Sequence, residues 1–265
     1  MEGQRGSVVS SDGTPIGFLT AGSGPALLLV HGGMNDLTRW QPVWPLLTGR
    51  HRVTAMDRRG RGSSGDGPGQ SLAREYDDVT AVAEQLARGQ GGPIDVFGHS
   101  YGAVCALGAA ARGGPFRRLA LYEPPGPETV PRDWLERMKA LIADGRSERA
   151  MGSFLIEIIG VPPEVVRALR DTPIASTATD IVASTMVREA AALLTVDLAE
   201  LARAVPQPVL LLLGETSPPW ASAITSSLAR VLGDGRLLSL PGLGHEAIDT
   251  APETVDAAMS SFFGG

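Results

Sequence analysis

Short, continuously apolar runs alternate along this chain with glycine-marked loops and with stretches whose apolar residues recur at helical spacing. Gly6 to Ser10 and Ile16 to Thr20 read as a hairpin turning at Asp12-Gly13. Ala26 to Val30, Arg52 to Met56, Ile94 to Phe97, Leu119 to Tyr122, Val209 to Leu213 and Leu237 to Leu240 read as strands, Ile94 to Phe97 and Val209 to Leu213 as buried ones. Between them, Leu37, Trp40 and Trp44 suggest one helix. Leu72, Tyr76, Val79, Val82 and Leu86 suggest a second, stopped by Gly89, Gly91 and Gly92. Ala103 to Ala111 is a helix of small residues, able to lie close against its neighbours. Trp220 to Val231 and Val255 to Phe262 supply the last two. Strand alternating with helix predicts an α/β fold: a mostly parallel, eight-stranded sheet with helices on both faces.

The stretch 126–205 breaks this rhythm. Trp134, Leu135, Met138, Leu141 and Ile142, then Phe154, Leu155, Ile158 and Ile159, then Ile181 to Leu194 have helical period, and no strand is evident. An insertion of roughly 80 residues is too long for an ordinary connection. It is expected to form a helical cap over the sheet's C-terminal edge, leaving 1–125 and 206–265 as the core domain.

Composition narrows the classes. Of 265 residues, 43% are hydrophobic and 20% charged, which excludes a disordered chain. No apolar run approaches the roughly 18 residues of a membrane span, and Met1 to Ser11 lacks the apolar stretch of a secretory signal. The net charge of −6 disfavours a nucleic-acid partner, because it repels phosphate. The single cysteine, Cys105, excludes an internal disulfide and a cysteine metal site, and is read as an inert core thiol. A cytoplasmic location is expected, without membrane or nucleic-acid partners.

The chemistry concentrates at Gly98-His99-Ser100-Tyr101-Gly102, a Gly-x-Ser-x-Gly pattern between a predicted strand and helix. A serine in so tight a turn has strained backbone angles, which flanking glycines relieve, and its hydroxyl is pushed above the sheet. The plain alternative is an ordinary glycine-rich turn. A serine hydroxyl needs a base. Of the four histidines, His31 and His51 flank strands, and His99 should point away from Ser100. His245 follows the last strand in Pro241-Gly242-Leu243-Gly244-His245 and can reach back to Ser100, the plain alternative being a solvated loop histidine.

The base in turn needs a carboxylate to hold its tautomer. The usual slot, the third position after the glycine in Gly214-Glu215-Thr216-Ser217, holds Ser217, which cannot serve. Two acids remain. Glu123 ends the preceding strand and is preferred, unless it merely pairs with Arg117 or Arg118. Glu215 stands one residue past the turn glycine. For an oxyanion, Tyr101 offers one backbone N–H and Gly33, in His31-Gly32-Gly33, a second. Met34, Trp134 and Met138 are expected in the substrate pocket, although the cap's Trp and Met residues serve more often as core. Asp57, Arg58 and Arg59 could suggest an anion site but are read as pinning a loop below the active face.

His31-Gly32-Gly33, Asp57 to Ser64, the Ser100 elbow and the His245 turn occur in the order seen in the α/β-hydrolase superfamily, which the whole chain resembles. The placement of Glu123 is similar to subfamilies whose acid follows strand six, such as haloalkane dehalogenases and zearalenone-type lactone hydrolases. Dehalogenases and epoxide hydrolases have an aspartate nucleophile, whereas this chain has Ser100. The resemblance therefore implies a serine hydrolase acting on an ester or lactone of a small to medium, mostly apolar molecule, with no cofactor and no metal. Two alternatives stay open: a biosynthetic enzyme of this fold catalysing a non-hydrolytic step, and a ligand receptor with a slow or silent triad. Either a monomer or a homodimer fits.

Overall fold

In the computed structural model, which describes residues 1–67, 69–169 and 181–264, eight strands form one sheet. They are β1 (Gln4–Val9), β2 (Pro15–Ala21), β3 (Ala26–Val30), β4 (Arg52–Met56), β5 (Ile94–His99), β6 (Phe116–Tyr122), β7 (Val209–Gly214) and β8 (Gly235–Leu240). Their spatial order is β1-β2-β4-β3-β5-β6-β7-β8. β1–β2 and β2–β4 pair antiparallel and every other pair is parallel. The inner parallel strands are apolar on both faces because both faces are covered, whereas β8, at the sheet edge, leaves Leu237 and Leu238 exposed. In β3, Leu28 and Val30 enter one core while Leu27 and Leu29 enter the other, and Leu119 and Leu121 alternate with Ala120 and Tyr122 in β6.

The pattern placed most elements to within a few residues. One expectation needs correction. Leu37, Trp40 and Trp44 do not share a helix: a 3₁₀ turn, Leu37–Trp40, is followed by a separate short α1, Trp44–Thr48. Pro42 and Pro45 lack the N–H groups that a continuous helix would need, and Thr38 O accepts from Gln41 N instead. Helix α2, Leu72–Gln90, also runs through Gly89 and stops only at Gly91, whose φ of 79° supplies the left-handed cap.

Helix α3, Tyr101–Ala111, is buried along almost all its length. Its small residues are required by proximity: a Cβ on Gly108 would lie 2.2 Å from the Tyr76 ring of α2. The described part of 126–205 is helix and turn: α4 (Arg132–Ala143), α5 (Ser147–Ser153), α6 (Pro163–Leu169), α7 (Val187–Leu193) and α8 (Leu198–Arg203), with wider helical turns at Phe154–Ile159 and Val182–Met186. Residues 170–180 of that stretch lie outside the described residues. α9 (Pro219–Val231), α10 (Ala247–Thr250) and α11 (Pro252–Phe263) complete the chain. Among the described residues, no helix is long and apolar enough to cross a membrane. Because β3 and β5 to β8 are parallel, their C-terminal ends share one edge, where His31, Ser100, Glu123, Glu215 and Pro241 follow the strands. In open α/β sheets ligands bind at such an edge.

Candidate active site

Ser100 joins β5 to α3 with φ 54° and ψ −126°, a left-handed conformation that a non-glycine residue adopts only when its surroundings impose it. The imposition is steric. A Cβ on Gly98 would lie 2.6 Å from Ala103 Cα, and one on Gly102 would lie 2.2 Å from Val30 O, so neither flank admits a side chain. Ser100 N donates to Tyr122 O at 2.8 Å, tying the turn to β6. Only two other non-glycine residues have positive φ, Met34 at 56° and Glu123 at 48°, among the described residues. They follow β3 and β6, the two strands that flank β5.

Glu123 is fully buried and its Oε2 lies 2.5 Å from His245 Nδ1. A carboxylate cannot donate, so Nδ1 carries the proton and Nε2 is left as the basic nitrogen. The other carboxylate oxygen, Oε1, accepts from Gly214 N and from Ser217 Oγ, each at 2.6 Å. Glu215 lies elsewhere and accepts from Gly242 N at 2.7 Å. Arg117 and Arg118 pair with Asp95, so they do not occupy Glu123.

The imidazole is held from several sides. Tyr122 OH donates to Gly244 O, and His99 Nε2 donates to His245 O at 3.1 Å. The His99 ring packs 4.7 Å from that of His245, and the edge of Trp220 approaches it at 5.6 Å. Burial, reinforced by repulsion from His245, pushes the His99 pKa well below the ordinary imidazole range, so no second cation stands behind His245. Immediately downstream, Arg39 pairs with Glu246 and Asp249. The His99, Tyr122 and Ser217 contacts carry no separate signal in the sequence; they appear only when strand ends meet.

Ser100, Tyr101, Gly33 and Met34 share one cavity, with about 530 Å³ of space between atoms, part of it open to solvent. The insertion supplies most of the remaining wall, including Val130, Trp134, Phe154, Ile158 and Met186. Met138 is a correction. It is 1% exposed and does not line the cavity, because one face of α4 serves both cavity and core and its period does not separate them.

The loop after β4 also differs from expectation. Asp57 does pin it, accepting from Leu37 N and from Ser63 N and Oγ, each at 2.8 Å. Arg58, however, reaches the active edge rather than lying below it. It forks onto Glu75 at 2.7 and 3.0 Å, donates to Gly32 O at 3.0 Å and contacts Glu189 of α7. Arg61 joins Glu189 at 2.6 Å. Arg59 is spent on Asp78 and Asp12. These arginines are neutralised by carboxylates and do not form an anion site. Cys105 lies in the same layer, and burial pushes its thiol pKa well above the ordinary range. Among the described residues, no group of three or more His, Cys, Asp or Glu side chains is placed to hold a metal ion.

Comparison with known proteins identifies the family. A family model described as the alpha/beta hydrolase family matches residues 27–258. The chain belongs to the alpha/beta hydrolase family. The solved structure of an alpha/beta hydrolase from Sphaerobacter thermophilus superimposes with a TM-score of 0.85 at 33% identity, covering 97% of this chain and all of that one. Two curated proteins match along most of their length. The 2-(acetamidomethylene)succinate hydrolase of Mesorhizobium japonicum is 28% identical over 91% of this chain and 88% of its own. The pyrrolizixenacetamide deacetylase of Xenorhabdus hominickii is 27% identical over 93% and 94%.

Proposed function

We propose that this alpha/beta hydrolase is a serine hydrolase that cleaves a carboxylic ester or lactone of a small to medium, mostly apolar molecule. One observation carries the reading. A serine held in left-handed backbone lines an apolar cavity at the same sheet edge where a buried glutamate grips a histidine at 2.5 Å. Ser100 Oγ attacks the acyl carbon while His245 Nε2 takes its proton, and Glu123 holds the imidazole's orientation and offsets its charge. The N–H groups of Gly33 and Tyr101 receive the oxyanion, the second from the first turn of α3, where unpaired amides and the helix dipole favour negative charge. The tetrahedral species expels the alcohol, protonated by His245, and leaves an acyl-Ser100. Water activated by His245 then releases the acid. The helices between β6 and β7 act as a cap that shapes the acyl site and limits water.

A second leaving group has specific support: one full-length relative is named as a deacetylase of an acetamide. An amide would pass through the same acyl-enzyme, with His245 protonating a nitrogen. The deciding experiment is labelling by a fluorophosphonate, with Ser100→Ala as control, followed by a panel of esters, lactones and acetamides. Labelling that depends on Ser100, with turnover of a panel member, supports the reading. No labelling of the folded protein overturns it and leaves the receptor alternative. Labelling without release of acid from any member points to a non-hydrolytic step.

A further inference from the structure

Glu189 is the single charged residue lining the cavity among the described residues, and the proposed mechanism does not use it. It sits on α7, within the insertion, with its side chain nine-tenths buried. Both of its arginine partners bind the same oxygen: Arg58 Nη2 and Arg61 Nη2 converge on Oε1. Oε2 accepts from no donor among the described residues. It is turned toward Gly33, 3.4 Å from where a Cβ on that residue would sit. Burial alone would favour the neutral acid, but Arg58 and Arg61 outweigh it and hold the carboxyl below its usual range.

The surrounding charges balance locally. Arg58 and Arg61 face Glu75 and Glu189, two cations against two anions, so nothing is left over to attract an anionic substrate. Most of the remaining cavity wall is apolar, Met34, Met186, Ala190 and Leu193 included. A carboxylate oxygen that lines the cavity and takes no donor among the described residues offers a ligand N–H or O–H a charge-assisted hydrogen bond.

From this oxygen beside Gly33, which takes no donor among the described residues, we infer that Glu189 Oε2 is a specificity element that selects acyl groups carrying a hydrogen-bond donor, a hydroxyl or an amide N–H, a short distance from the scissile carbonyl, and that disfavours acyl groups bearing a carboxylate. The inference rests on Ser100 hydrolysis as proposed above. It also separates this chain from its relative named for a succinate, whose name implies an acidic substrate.

Matched 4-nitrophenyl esters test it. Butyrate is the reference, 3-hydroxybutyrate and 3-acetamidopropanoate carry the two kinds of donor, and hydrogen succinate carries the acid. The expected order in kcat/KM places at least one donor ester on the order of tenfold above butyrate, and the succinate below it. Glu189→Gln sharpens the test. Its one oxygen is required by Arg58 and Arg61, so the amide NH₂ must take the place of Oε2 and turn an acceptor into a donor. The donor preference should then collapse to within about threefold and the succinate ester should gain relative to butyrate. Equal treatment of butyrate and both donor esters by the wild-type enzyme overturns the inference, whether or not the variant folds. So does a Glu189→Gln protein in which all four esters decline in proportion, because a merely structural role predicts that result. Should no ester turn over and Ser100 resist a fluorophosphonate, the hydrolase reading itself fails; labelled Ser100 with turnover but no donor preference removes this inference alone.

Discussion

Ser217 Oγ donates to Glu123 Oε1 at 2.6 Å, so the residue standing in the usual acid slot has become a hydrogen-bond donor to an acid supplied by a neighbouring strand. The same oxygen takes Gly214 N, and the other faces His245. Losing Ser217 Oγ should leave the dyad in place but less tightly oriented. Ser217→Ala is expected to lower kcat by up to about tenfold, on the order of one hydrogen bond to a charged group. Ser217→Asp should be worse in the wild-type background, where it crowds two carboxylates together, yet it should partly restore Glu123→Ala. Steady-state kinetics on the three single variants and on the Glu123→Ala/Ser217→Asp double variant checks these statements, and full activity of Glu123→Ala alone would contradict the rescue.

Glu123→Gln should cost roughly 10³- to 10⁴-fold in kcat, because an amide no longer holds Nδ1 protonated and Nε2 basic. Glu215→Gln should stay close to wild type, since Glu215 only caps Gly242 N. The contrast is a single pair of kcat measurements on an ester that the parent turns over.

The two elbow-side glycine contacts predict opposite outcomes for one substitution. Gly102→Ala places a methyl 2.2 Å from Val30 O, a backbone atom that cannot move aside, and should destabilise the fold by about 3 kcal/mol. Gly33→Ala meets only Glu189 Oε2 at 3.4 Å, so it should fold normally, and any loss should appear in turnover. Urea unfolding beside kinetics distinguishes them.

Stability should fall as the solution is acidified below about pH 6.5, where an unfolded imidazole takes up a proton. His99 is held well below that range by burial and by His245, and His31 by burial and by Arg58. Both therefore stay neutral in the folded chain while the unfolded chain binds protons. The stabilisation is complete above the unfolded pKa and is lost as pH falls, by about 1.4 kcal/mol per pH unit for each imidazole. Replacing His99 by Gln should flatten the slope of unfolding free energy against pH between 7 and 5; an unchanged slope would refute the assignment.

Much of this was readable from residue order because the physics is local. A five-residue apolar run bounded by turn residues, such as Ala26–Val30, reads as a covered strand, and glycines around Ser100 announce a turn too tight for side chains. Glu123 could be proposed because the empty slot at Ser217 forced the search onto the neighbouring strand end. What stayed hidden depends on elements far apart in the chain. His99 was expected to turn away from Ser100, but nothing local shows that it packs against His245. Arg58 looked like a loop pin because its partner, Glu189, is contributed by a helix more than a hundred residues later. The left-handed backbone of Met34 and Glu123 has no marker either, since neither residue is a glycine.

Ser100, Glu123 and His245 hang from strand ends of the sheet, whereas Val130, Trp134, Phe154, Ile158, Met186 and Leu193 come from the segment inserted between β6 and β7. On the proposed mechanism, reactivity and fit are thereby encoded in separate stretches of the gene. Mutations that reshape what the enzyme accepts can accumulate in the insertion while the proposed proton-handling groups stay as they are, and Glu189, clasped by two arginines of the loop after β4, is the point where the two inheritances are stitched together.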